Sequence, residues 1–293
     1  MSREMVGLLR HRLVDPHAPC LQAARQILAD AGLQTWEVAR DVAPARNARD
    51  LARTRLLLTM GGDGTLFYGV KLAAPRSIPV LGVNLGRLGF MTELEEDQVA
   101  QGLDRFLAGD YWLDERTLLD VTAWRQTRRL MRDVGLNDAV IERGRSSTIM
   151  RLRALVDGQE VGVFDADGVI TATASGSTAY ALAAGGPILE PSVEGLVLVP
   201  MNPFALTVRP IVFPPKQSLT IELPRDEGLL SVDGATGRRL RKGDRVVIGA
   251  HDEPVRLVRF TPRERFYTLL REKLGWGRPL VPTAHREDAA ANG

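Results

Sequence analysis

The sequence predicts an α/β N-terminal domain with a parallel sheet, a β-rich, sandwich-like second domain, and a C-terminal helix returning to the first domain. Three observations carry this reading. Between residues 5 and 110, continuous apolar runs alternate with stretches of helical periodicity, the pattern of strands covered on both faces. From about residue 113 the runs become short, rich in Val, Ile and Thr, and separated by turn residues, as in a layered antiparallel domain. Near the end, RERFYTLLREKLGW (263–276) spaces apolar residues at i, i+3 and i+4. The expected divisions are 1–112 for the α/β domain, 113–262 for the β-rich domain, 263–278 for the helix, and a disordered tail over 279–293.

Taken in order, MVGLLR (5–10) reads as a strand and CLQAARQILADAGL (20–33) as a helix stopped by Gly32. TWEVA (35–39) and RLLLTM (55–60) read as strands, and TLFYGVKLAA (65–74) as a helix ended by Pro75. IPVLGVNLG (78–86) is a fourth strand, followed by a helix over DQVAQGLDRFLAGD (97–110). The second half offers LLDVTAW, TRRLMRDV, NDAVIE, IMRLRALV, QEVGVF, GVITAT, GLVLVP, SLTIEL, GLLSV, DRVVIG and VRLVRF as strands. One helical stretch, STAYALAAGG (177–186), interrupts them.

Composition narrows the function. The 293 residues are 44% hydrophobic with a net charge of only +2, so a sizeable core is expected and an extended basic face for nucleic acid is not. The single cysteine, Cys20, excludes an internal disulfide framework and suits a reducing compartment. No apolar run reaches the ~18–20 residues that a membrane helix needs, and MSREMVGLLRHRL lacks the layout of a signal peptide. The expectation is a soluble, cytoplasmic protein with no membrane partner.

The chemistry is concentrated in glycines. Gly61, Gly62, Asp63, Gly64 and Thr65 close the third strand and open a helix. Glycines admit positive φ and let a ligand approach the backbone, whose N–H groups can then meet phosphate oxygens. Asp63 would repel a phosphate, so its role differs: it can accept a hydrogen bond from a substrate hydroxyl and orient it for attack on a phosphoryl group. The chain has four Asp-Gly pairs, and such pairs are often simple turns. Asp157-Gly158 and Asp233-Gly234 suit hairpins, whereas Asp63-Gly64 follows two further glycines and leads into a helix. A second cluster, ATASGSTAYALAAGGPI (172–188), offers Ser175, Ser177 and Thr178 as helix caps or as a polar site. The third candidate is Asn137-Asp138, an amide beside an acid, suited either to a turn or to reading ribose and base groups.

Taken together and in this order, GGDGT (61–65), LGVNLGRLGF (81–90), LNDAVI (136–141), DGVITATASGSTAYALAAGGPI (167–188), RPIVFP (209–214), SVDG (231–234) and LREKLGWG (270–277) resemble the NAD kinase family from about Val6 to Trp276. The resemblance implies transfer of a phosphoryl group from ATP, or from polyphosphate, to the 2′-hydroxyl of the adenosine ribose of NAD. It also implies a divalent metal, Mg2+ by preference and without a dedicated protein cage, and a homodimer or homotetramer. Asp63 matches the family's catalytic acid, and Gly61, Gly62, Gly64 and Thr65 match the phosphate side. Asp63, Gly64, Phe90, Asn137, Asp138, Asp167, Ser175, Thr178, Ala179, Tyr180, Ala183 and Asn202 match the NAD side. Ala174, Ser175, Ala183, Phe204 and Ala235 depart from the residues usual there (Pro, Thr, Ser, His and Gln), which bears on dinucleotide affinity and redox preference. A kinase of this fold with another acceptor, such as a lipid, and a dinucleotide sensor without turnover remain as alternatives.

Overall fold

The computed structural model describes residues 4–40, 48–86, 91–144, 148–235, 237–262 and 265–277. Phe90 and the tail from 279 lie outside them. The first part runs β1 (Met5–Arg10), α1 (Pro19–Asp30), β2 (Gln34–Ala39), α2 (Ala48–Arg53), β3 (Thr54–Gly61), α3 (Asp63–Ala73), β4 (Val80–Asn84), β5 (Leu94–Glu95), α4 (Val99–Ala108) and β6 (Trp112–Arg116). It continues with β7 (Leu119–Arg125), β8 (Arg128–Gly135), β9 (Asp138–Glu142), β10 (Met150–Val156), β11 (Gln159–Ala166), β12 (Gly168–Thr173) and the single-turn α5 (Tyr180–Ala183). Last come β13 (Leu196–Met201), β14 (Ile211–Phe213), β15 (Leu219–Glu222), β16 (Gly228–Val232), β17 (Arg238–Leu240), β18 (Asp244–Ala250), β19 (Val255–Arg259) and α6 (Arg265–Leu274). The described residues after 260, which include α6, belong to a unit separate from the rest.

The first sheet has the order β2-β1-β3-β4-β19-β6, with β5 beside β4. All its pairings are parallel except β19 with β6. Helices cover both faces, which explains the unbroken apolar run in β3. Leu56, Leu58 and Met60 pack with α1 and α4, while Leu57 packs with α2 and α3. Two six-stranded antiparallel sheets follow, β11-β10-β15-β18-β7-β8 and β14-β13-β12-β9-β16-β17. Alternate residues of their strands, such as Leu119, Val121 and Ala123 of β7 and Ala139 and Ile141 of β9, fill one shared core. That is the sandwich expected from period-two patterning.

One correction concerns the division at 112/113. It cuts into β6, and VRLVRF, expected in the second domain, contributes β19 to the first sheet. The reason lies in its two apolar faces: Val255 and Leu257 join the core on one side of that sheet, and Val258 joins the core on the other. No described helix is long and apolar enough to cross a membrane.

Candidate functional site

β3 runs directly into the glycine turn. Gly61 has φ of 156°, and a Cβ there would stand 2.4 Å from Thr65 Oγ1 and 3.1 Å from His11 Cβ. Glycine is therefore required. Gly62 caps α3 in extended backbone, and Asp63 is the helix's first residue. The chain passes from β1 outward to β2, then returns past β1 to β3. The carboxyl ends of β1 and β3 thus flank the point where strand order reverses, where open α/β sheets bind ligands. Asp63 is half-buried, and its Oδ1 accepts the Met91 amide at 3.2 Å. Arg40, just after β2, brings Nη1 to 2.9 Å from where a Gly64 Cβ would be, placing a positive charge at the rim. Thr65 Oγ1 is buried without a hydrogen-bond partner.

The second region lies on the antiparallel sheets. The Asn137 carbonyl accepts the Thr173 amide at 2.9 Å, and Thr173 Oγ1 donates to the Leu136 carbonyl at 2.6 Å. Gly176 sits so close that a Cβ would fall 2.0 Å from the Asn137 carbonyl oxygen. The two segments predicted separately, 136–138 and 173–178, are therefore locked backbone to backbone. Asn137 Oδ1 is buried with no hydrogen-bond partner, an arrangement that native structures seldom leave without a purpose.

The Asp233 carboxylate organises this loop. It accepts the amides of Leu136 and Asn137 at 2.8 Å each and of Asp138 at 3.2 Å. Asp138 is itself buried, and burial, then the neighbouring Asp233 charge, pushes its carboxyl up to about 7. Burial also raises Asp233, against the pull of the three amides and Lys71. Tyr180 stands in the same neighbourhood: burial raises its phenol, helped by the charges of Glu142, Asp138 and Asp167. Asp167 pairs with Arg143 at 3.2 Å and accepts Asn202 Nδ2 at 3.0 Å. Ala183 is exposed nearby on α5.

The expected capping by Ser175, Ser177 and Thr178 is not seen. A 3-10 turn over Gly176–Thr178 leads into the four-residue α5, and neither has a side-chain cap. Instead Ser177 Oγ donates to the Ala174 carbonyl at 2.6 Å and Thr178 Oγ1 to the Ser175 carbonyl at 3.2 Å. The hydroxyls stabilise the turn from within.

Both regions are joined by residues that the sequence reading missed. Met91, whose amide meets Asp63, has its carbonyl held by Arg259 Nη1 at 2.9 Å. Arg259 Nε reaches Asp114 at 3.2 Å, Asp114 takes a two-pronged pair from Arg116 at 2.8 and 2.6 Å, and Arg116 Nη1 donates to Ser175 Oγ at 3.1 Å. Burial would raise Asp114, but Arg116 and Arg259 outweigh it and hold the carboxyl below its usual range. Asp114 and Arg116 lie two apart on β6 and so share a face, a signal that period-two reading could have used. Arg259 has no local signal. Among the described residues, no group of three or more His, Cys, Asp or Glu side chains is placed to hold a metal ion.

Comparison with known proteins gives the family of both parts of the chain. Residues 21–111 match the ATP-NAD kinase N-terminal domain, and residues 136–260 match the ATP-NAD kinase C-terminal domain. The NAD kinase of Gemmatimonas aurantiaca is 41% identical over 224 residues, covering 75% of this chain and 77% of that protein. The NAD kinase of Syntrophotalea carbinolica is 36% identical over 273 residues, covering 89% and 95%. In fold, the chain is similar to a yeast NADH kinase complexed with NADH, with TM-score 0.82, 23% identity and coverage of 97% of this chain and 91% of that one. It is also similar in fold to an NAD kinase from Archaeoglobus fulgidus in complex with ATP, with TM-score 0.72, 21% identity and coverage of 91% and 97%.

Proposed function

This chain belongs to the ATP-NAD kinase family, and from that premise we infer that it phosphorylates the adenosine-ribose 2′-hydroxyl of NAD, forming NADP from ATP or polyphosphate. The observation that carries the reading is Asp63 at the carboxyl end of β3, on the first residue of α3, where strand order reverses. A carboxylate there accepts the hydrogen bond of the 2′-hydroxyl and aligns its oxygen with the terminal phosphorus of the donor. As that O–P bond forms, the bond to the donor's leaving oxygen breaks and the hydroxyl proton passes to Asp63. Orientation and charge stabilisation contribute more than early proton removal, since a carboxylate is a weak base beside a sugar alkoxide.

On the donor side, the turn of Gly61, Gly62, Gly64 and Thr65 is the place where backbone N–H groups would meet phosphate oxygens, with Arg40 adding charge. On the acceptor side, Asn137, Asp138, Asp167, Ser175, Thr178, Ala179, Tyr180, Ala183 and Asn202 take the dinucleotide, and Phe90 belongs to the same assignment. Asp138, near neutrality in this setting, can donate or accept toward ribose hydroxyls. The divalent ion, Mg2+ by preference, enters as part of the donor, bound through phosphate oxygens and water. Phe204 is 82% exposed and free to stack on a base, which would offset the polar groups missing at Ala183 and Ala235.

A homodimer or homotetramer is part of the proposal. The edge strands β11 and β14 expose Val161, Val163, Ile211 and Val212, beside Phe204 and Leu206, and apolar edges left open favour association. The lone buried Cys20 is compatible with the cytoplasm.

Incubation of the pure protein with NAD, ATP and Mg2+ should yield NADP, and Asp63→Asn should remove most of that turnover without unfolding the chain. Undiminished NADP formation by Asp63→Asn would overturn the role of the acid. Labelled phosphate appearing in a lipid but never in NAD would overturn the acceptor, and NAD binding without product under either donor would leave only a sensor. Light scattering at a monomer's mass would remove the oligomer.

A further inference from the structure

We propose that Arg259 is a positioning residue that clamps Met91, so that the acid rim at Asp63 and the dinucleotide-side loop at Ser175 are held as one rigid assembly. The inference rests on the reading of Asp63 as the acid that orients the acceptor hydroxyl.

Met91 is gripped at both ends. Its amide donates to Asp63 and its carbonyl accepts from Arg259. The guanidinium is a planar fork that can serve several acceptors in fixed directions, and here it serves three: the Met91 carbonyl, Glu93 and Asp114. Glu93 also accepts the Phe260 amide at 2.8 Å, which fixes the strand end carrying Arg259. From Asp114 the contacts pass to Arg116 and to the Ser175 hydroxyl. Asp63 and Ser175 are far apart in sequence and follow strands of different sheets, β3 and β12. Arg259 comes from β19, the late strand inserted beside β4, so the return of the chain to the first sheet delivers the residue that joins them.

Stability alone is a poor explanation for the cluster. Glu93, Asp114, Arg116 and Arg259 place two negative and two positive charges where side-chain exposures are 3%, 12%, 12% and 10%. Desolvating such a set commonly cancels its Coulombic gain, and apolar replacements are often as stable. Geometry is what apolar residues could not supply. A displacement of about 1 Å at a phosphoryl-transfer acid can cost about a hundredfold in rate, so a fixed Met91 amide has a direct use.

The test combines Arg259→Lys, Arg259→Met and Ser175→Ala, each alone and with Ser175→Ala in the Arg259 backgrounds. Steady-state kinetics and NMR hydrogen exchange at the Met91 amide supply the readouts. A lysine reaches fewer of the three acceptors. Arg259→Lys should therefore lower kcat about tenfold or more while the KM for NAD stays within about twofold. Ser175→Ala should lower kcat a few-fold beyond its effect on KM, and should have no further effect on kcat once Arg259 is replaced. Met91 exchange should quicken about tenfold in Arg259→Met and less in Ser175→Ala. Additive losses in kcat, or unchanged Met91 exchange, would overturn the clamp. Should Arg259→Met fail to fold, Arg259→Lys and Ser175→Ala ask the same question. If the unaltered protein made no NADP while Met91 exchange responded as stated, the clamp would stand and the assigned reaction would fall.

Discussion

Asp63-Gly64 and Asp233-Gly234 are the same dipeptide put to opposite uses. Asp63 opens α3 at the rim of a parallel sheet, half-buried, with one oxygen on the Met91 amide. Asp233 sits in a tight turn, with φ of 50° followed by 67° at Gly234, and the Val232 carbonyl accepts the Ala235 amide at 3.0 Å. Its carboxylate is consumed by three amides of a distant loop. The backbone decides the difference. After Gly62 the chain turns into a helix, whose first residue stands just beyond the end of β3 and meets the Met91 amide. After Val232 it doubles back, and the side chain is trapped against the start of β9. The same acid is thus architectural at Asp233 and, at Asp63, available for the role proposed above, according to where the backbone carries it.

The largest expected effect comes from replacing Asp63, the acid proposed to orient the acceptor hydroxyl. Asp63→Asn keeps an oxygen for Met91 and loses the proton acceptor, so NADP formation should fall about 10²–10⁴-fold with little change in thermal midpoint. Asp233→Ala should invert that signature. Three amides lose their acceptor, and stability should drop by roughly 2–4 kcal/mol, seen as a lower urea midpoint, with a raised KM for NAD as Asn137 and Asp138 loosen. Equal stability losses in the two variants would erase the contrast.

That contrast was half legible in the sequence. Asp63 could be singled out because glycines flank it and a helix, not a returning strand, follows. Asp233 read only as a turn, since the amides it serves lie 95 to 97 positions away. The same limit governs the fold. β3 and β7 announced themselves through local burial patterns, but the sheet joined by β19 depends on pairings with β4 and β6. Strands of two or three residues, β5, β14 and β17, are too short to show a period. The hydroxyls at 175–178 look like caps in any local window, yet Ser177 and Thr178 bond to carbonyls of their own turn and Ser175 accepts from the distant Arg116.

The close approach of Gly176 to Asn137 gives the next prediction. Gly176→Ala would force a methyl to within 2.0 Å of the Asn137 carbonyl oxygen, and overpacking of backbone against backbone should cost about 1–3 kcal/mol. The loss should appear in both the denaturation midpoint and the KM for NAD, as with Asp233→Ala and unlike Asp63→Asn. An unaltered KM would show that the 136–138 loop does not depend on its neighbour.

Asp138→Asn probes the electrostatic side of the same loop. The Asp138 carboxyl stands at about 7 when folded, above its ordinary 3.8, so the folded chain binds that proton more tightly. Wild-type stability should then decline as pH rises from about 4 to about 7 and stay flat beyond, because only the unfolded chain ionises cheaply in that window. The asparagine variant lacks this decline and should gain on the wild type with rising pH, by about 1.4 kcal/mol for each pKa unit realised. A constant gap between the two across pH 4–8 would mean that Asp138 ionises normally.

The smallest effect belongs to a third pair. Asp157-Gly158 closes the β10–β11 hairpin with φ of 50° and 80°, and the Asp157 carboxylate accepts the Ser218 amide at 2.9 Å. Asparagine tolerates that left-handed backbone and retains an oxygen for Ser218. Asp157→Asn should therefore leave stability within about 0.5 kcal/mol and kcat and KM unchanged, measured beside the Asp63 and Asp233 variants. A loss of turnover in Asp157→Asn would mean that ligand chemistry extends to the β10–β11 turn, and that backbone setting alone does not sort these acids.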